Sequence, residues 1–161
     1  MYLLDANIFI SAKNAHYGLD FVPAFWQWLA TSHAAGRVYT VAAVADEISA
    51  GDDELATWFK AQPRSFFLAP NASTVQSLQT LAEWASSQNF HRAAINDFLQ
   101  SADYYLVAQA HVSGHTVVTH ERSAPQAMKK IKIPQACAAL GVPCITPWQM
   151  LRAEQARFVL P

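Results

Sequence analysis

Short apolar runs of strand length alternate along this chain with longer segments of helical period, and that alternation narrows the fold more than any other feature. Tyr2-Leu3-Leu4 opens the sequence and ends on Asp5. His115-Thr116-Val117-Val118-Thr119 and Val142 to Ile145 are later runs of the same kind, and Phe66-Phe67-Leu68 reads as a short strand or as a buried connection. Between them, Asn7 to Ser11 turns into a helix, and Pro23 to Ala35 carries Phe25, Trp26 and Leu29 at helical spacing before Gly36. Further helices are expected from about Val41 to Ser49, after a cap at Asp52 or Asp53, from Asn71 through Ala85, from His91 to Leu99, from a Ser101 cap to Gly114, from Pro134 to Leu140, and after Pro147. Parallel strands need crossover connections, so the pattern predicts an α/β three-layer sandwich with a short, mainly parallel sheet of about four strands flanked by helices. No repeat or Gly/Ser linker divides the chain, and residues 1–161 are expected to form one domain.

Hydrophobic residues make up 52% of the chain and charged residues only 14%, so either Ala-rich helices inflate the apolar count or surface is left over for a homodimer or a companion protein. The aromatic stretch of Phe25, Trp26, Trp28, Trp58, Phe59, Phe66 and Phe67 is read first as core. A net charge of −1 excludes a global electrostatic pull on nucleic acid, leaving local patches. Lys129, Lys130 and Lys132, with Arg122 upstream, form the dense basic run, and they suit either phosphate contacts or a solvated face. Cys137 and Cys144 match neither a disulfide framework nor a zinc signature and are expected to be reduced and buried. With no signal-like start and no run of membrane-spanning length, the expected location is cytoplasmic, with no membrane partner.

In an open parallel sheet, chemistry gathers at the carboxyl ends of the strands. Asp5 and Glu121 stand at or just past two such ends, Asp103 lies in the first turn of the helix leading into the second of these strands, and Glu47 lies in the mostly apolar Val41–Ile48 segment. Each acid has a plain structural alternative. Asp5 can turn the chain, Asp103 can answer the helix dipole, Glu47 can face solvent with Asp46, and Glu121 can be a loop acid. Gathered together, they suit a hard divalent cation, which takes oxygen ligands and activates water for in-line phosphoryl displacement.

The four segments resemble the motifs of the PIN-domain family. Leu3-Leu4-Asp5-Ala6-Asn7 is similar to the way those domains begin, Val44-Ala45-Asp46-Glu47-Ile48 to their glutamate-bearing segment, Ser101-Ala102-Asp103 with Leu106, Ala108 and Ala110 to their third, and Val117-Val118-Thr119-His120-Glu121 to their fourth. The closing Lys132-Ile133-Pro134-Gln135-Ala136-Cys137 and Leu140-Gly141-Val142-Pro143-Cys144 resemble a divergent PIN-like branch. The resemblance implies a magnesium- (or manganese-) dependent endoribonuclease, the toxin of a toxin–antitoxin pair in the manner of VapC-like proteins, with RNA and an antitoxin protein as partners. It implies Asp5, Glu47 and Asp103 as metal ligands, Glu121 as a longer substitute where the family usually has Asp, Thr119 as the threonine orienting water or a phosphate oxygen, and Asn7 as a polar supporting residue. Rival readings are a PIN-shaped binding module with impaired catalysis, DNA as the substrate, and histidine chemistry at His111, His115 and His120, whose register Gly114 breaks.

Overall fold

The computed structural model describes residues 1–159. Among the described residues, five strands, β1 (Tyr2–Leu4), β2 (Val38–Val41), β3 (Phe67–Leu68), β4 (Thr116–Val118) and β5 (Cys144–Ile145), form one sheet in the order β3-β2-β1-β4-β5. Every pairing is parallel. The helices are α1 (Ala6–Ser11), α2 (Pro23–Ala34), α3 (Ala42–Ser49), α4 (Glu54–Lys60), α5 (Ala72–Ser87), α6 (Arg92–Leu99), α7 (Ala102–Ser113), α8 (Ile133–Leu140) and α9 (Pro147–Ala153). They flank the sheet and carry the crossovers that its parallel order requires.

β1 is the central strand, and its Leu3 and Leu4 are fully buried, as are Val117 and Val118 of neighbouring β4. Strands covered on both faces need continuous apolar runs, which is why these segments are legible in the sequence. One strand is not in the sequence reading: Val38–Val41 pairs with β1 and β3, raising the expected four strands to five. Its signal, Val-Tyr-Thr-Val one residue beyond the Gly36 turn, runs without a break into the Ala-rich α3.

The aromatic stretch packs inward. Phe9 of α1 meets Phe59 of α4 edge-on at 4.8 Å between centroids, and Trp26 meets Trp58 at 5.0 Å. Phe25, Trp26, Phe59 and Phe66 are buried, while Trp28, Trp58 and Phe67 are partly so. Caps fall where the sequence places them for Asp53 and Asn71, whose side chains accept from Ala56 N and Thr74 N. Ser101 occupies the cap position of α7, but its hydroxyl donates backwards to the Phe98 carbonyl at 2.7 Å, so the side chain does not cap the helix. Gly114 and Gly141 end α7 and α8 in the left-handed conformation, at φ of 64° and 66°. Among the described residues no helix is long and apolar enough to cross a membrane.

Candidate active site

Register brings the ends of three strands together. Leu4 pairs with Val118 and Val118 with Ile145, so Asp5, Thr119 and Thr146 leave the sheet side by side at its carboxyl edge. Asp5 N donates to Val118 O at 3.0 Å and Thr119 N to Ile145 O at 3.1 Å, extending the ladder by one residue. Asp5 is also the N-cap of α1, only 1% exposed, and its two carboxylate oxygens have separate donors. Asn7 N approaches Oδ1 at 3.4 Å and Thr119 Oγ1 donates to Oδ2 at 2.8 Å. Thr119 spends its only proton on this bond and accepts from Glu121 N at 3.0 Å, so it positions two of the acids at once. Asn7 contributes its backbone N–H here, while its side chain sits on an exposed residue.

Asp103, second residue of α7, is half-buried and faces the same edge. Burial, and then the charges of Asp5 and Glu121, push its carboxyl up to about 7 against the pull of Lys130, with Glu47 adding a smaller push. Burial likewise raises Asp5 to about 6, although its bonds to Thr119 and Asn7 oppose this, and Glu121 and Glu47 again add their charge. Residues from β1, α3, α7 and the segment after β4 therefore share one electrostatic pocket. Glu47 is exposed on α3, whose Val44 and Ile48 face the core, and it stands at the margin.

Glu121 is held differently. Its carboxylate accepts from Ile133 N at 2.8 Å and from Lys130 Nζ at 3.0 Å, with Lys132 Nζ at 3.5 Å. Burial works to raise this carboxyl, but the Ile133 N–H and the two ammonium groups outweigh it and hold the acid below its ordinary value. The Lys130 ammonium is raised by its bond to Glu121 and senses both Asp103 and Asp5. Lys130 is thus the countercharge that Glu121 and Asp103 share.

Among the described residues, no three His, Cys, Asp or Glu side chains approach closely enough to grip an ion by themselves. The donors instead suit a hydrated cation: magnesium keeps several waters and commonly takes one or two carboxylates. Asp5 and Asp103, two carboxylates whose proton affinity is raised first by burial and then by negative neighbours, are the pair that a cation would relieve. Glu121 has already spent its oxygens on a backbone N–H and two lysines.

Of the basic residues singled out in the sequence, Lys129 and Lys130 line a cavity of about 300 Å³ with Asp97, Ser101 and Asp103, opening beside the acids. Lys132 turns to Glu121, and Arg122 is exposed. The three histidines do not converge on one another. His111 Nδ1 lies 2.8 Å from Ser77 Oγ, His115 is buried against Tyr39, and His120 packs 5.9 Å from the His16 ring. Cys137 is buried, while Cys144 is partly exposed rather than buried, and both are free. His16 and Trp148 lie against His120 and belong to no motif visible in the sequence. No spacing rule links positions 16, 120 and 148; strand order does.

A family model described as Domain of unknown function (DUF4411) matches residues 2–158. Comparison with curated proteins and with solved structures returns no match.

Proposed function

The chain belongs to the DUF4411 family, and from that footing we propose that it is a magnesium- or manganese-dependent endoribonuclease on a PIN-like frame. One observation carries the reading: Asp5 and Asp103, far apart in sequence, are brought to the carboxyl edge of a parallel sheet, where both are raised by burial and by the charges of Glu121 and Glu47, and Asp103 by that of Asp5 as well. Structural acids are normally paired with cations, whereas acids left mutually repelling in a cleft mark a functional site. A divalent ion bound there supplies activation of water and neutralises charge on a phosphodiester as it is displaced.

This chain's own residues divide the remaining work. Asp5 is fixed by Thr119 and by the first turn of α1, so it presents its carboxylate without reorganising. Asp103 projects from the first turn of α7 and completes the negative pocket, with Glu47 at the rim. Lys129, lining the adjoining cavity, meets the phosphates of an entering strand, while Lys130 beside it stays engaged by Glu121. The PIN resemblance extends the reading to a cytoplasmic toxin restrained by an antitoxin protein.

Incubation of total RNA with the native chain and with Asp103→Asn, each with and without chelator, tests the reading. Cleavage that chelation abolishes and the variant lowers about 100-fold or more is the expected result. Cleavage that persists in chelator or in the variant defeats it. The tethering of Glu121 by Lys130 and Lys132 favours a second reading, a PIN-shaped module with impaired catalysis. That module cuts nothing, and manganese or magnesium gives it no stabilisation that Asp5→Asn abolishes, because an idle acidic cluster need not bind ions.

A further inference from the structure

Beside the acid pocket, three rings from distant parts of the chain meet. His16 ends the π-type turn Ala12–His16 that follows α1, His120 comes directly after Thr119, and Trp148 is the second residue of α9, just past β5. The His16 ring lies 5.3 Å from Trp148 in an edge-on arrangement and 5.9 Å from His120, and His120 lies 5.9 Å from Trp148. Trp148 is 37% exposed, and His16 is exposed as well. Beyond Trp148 opens a cavity of about 560 Å³ whose lining includes Tyr17, Arg152, Arg157 and Phe158.

We propose that His16, His120 and Trp148 form a stacking subsite for a base of single-stranded nucleic acid, with Arg152 and Arg157 meeting its phosphates in the adjoining cavity. The inference takes its ligand class from the nuclease reading above. Aromatic faces joined to cationic side chains are what a single strand requires, because every base has a π-face and each nucleotide carries one negative charge. The chain's net charge of −1 makes a local pair of arginines notable beside an acid pocket that repels phosphate. Position supports the assignment. His120 stands in the chain between Thr119, which holds Asp5, and Glu121, so the rings adjoin the segment that carries the acids. A duplex keeps its bases stacked on one another and does not fit this role.

The test uses the full chain in chelator, where binding is read without cleavage. A short fluorescein-labelled single-stranded RNA is titrated against the native protein, Trp148→Ala and Trp148→Phe, alongside a strand of the same length lacking its bases. The alanine variant is expected to weaken binding about ten-fold, the phenylalanine variant to stay close to native, and the base-free strand to bind weakly and equally to all three. Quenching of tryptophan fluorescence by the intact RNA, reduced in Trp148→Phe, is a second readout that does not depend on the alanine variant folding. Native affinity in Trp148→Ala, or equal affinity for the base-free strand, overturns the subsite. RNA binding that follows Trp148 in a chain that cuts nothing keeps the subsite and defeats the nuclease reading. Asp103-dependent cutting with native binding in Trp148→Ala does the reverse.

Discussion

Asp103 occupies the first turn of α7, where the helix dipole favours an ionised carboxylate, yet its proton is held up to about 7. Burial and the neighbouring acids therefore outweigh the dipole. The sign of the consequence follows from linkage. A folded-state value above the unfolded one means the native chain binds the extra proton, so stability from this group is full below about 4 and is lost as pH rises to about 7. His115 and His120, both lowered by burial, act in the opposite direction below 6.5, so the carboxylate is read as a difference between proteins. Asp103→Asn is expected to stabilise the metal-free chain at pH 8 by roughly 1–3 kcal/mol, with little effect at pH 4.5. Denaturant melts of both proteins in chelator at the two pH values check it, and an equal shift at both would remove Asp103 from the charge cluster. Manganese should reverse the order at pH 8, stabilising the native chain and not the variant. At this scale the sequence marks Asp5, Asp103 and Glu121 because strand ends and a helix start are visible in it. It does not show that Lys130 is the countercharge or that Thr119 gives its proton to Asp5, since both are contacts across the fold.

The elements were legible in proportion to how far each one's own residues decide its structure. Helices α5, α7 and α8 announce themselves through Asn71, Gly114 and Gly141, where caps and left-handed stops are local chemistry. Strand β2 was hidden because Val38–Val41 passes into the helix of Ala42 without an intervening breaker, and only its pairing with β1 and β3 makes it a strand. Helix α1 shows the reverse dependence: six residues are too few to hold a helix alone, so its order comes from packing. Phe9 is the anchor, fully buried and in ring contact with Trp58, Phe59 and Phe66. Phe9→Ala is expected to cost about 3–5 kcal/mol by denaturant unfolding. Because α1 begins at its Asp5 cap, the variant should also weaken manganese-induced stabilisation, which Phe9→Leu largely retains. A small loss of stability with native metal response would place α1's support elsewhere.

Across the whole molecule, a chain of net charge −1 has no general attraction for RNA, and its cations lie in separate places. Lys129 and Lys130 border the cavity beside Asp103, while Arg152 and Arg157 line the one beyond Trp148. Lys130 is already engaged by Glu121, which leaves Lys129 and the two arginines as the phosphate contacts along that path. Each contact made to a single strand contributes about −0.7 to the slope of log affinity against log salt, so the expected slope is roughly −2. Lys129→Gln and Arg152→Gln should each flatten it by about 0.7, and together by about twice that, since the two residues line separate cavities with no lining residue in common. Titrating single-stranded RNA in chelator between about 50 and 200 mM salt measures these slopes. A much steeper native slope, or slopes indifferent to both substitutions, would mean that the strand crosses another face of the protein and that the edge joining Asp5, Asp103 and Trp148 is not its track.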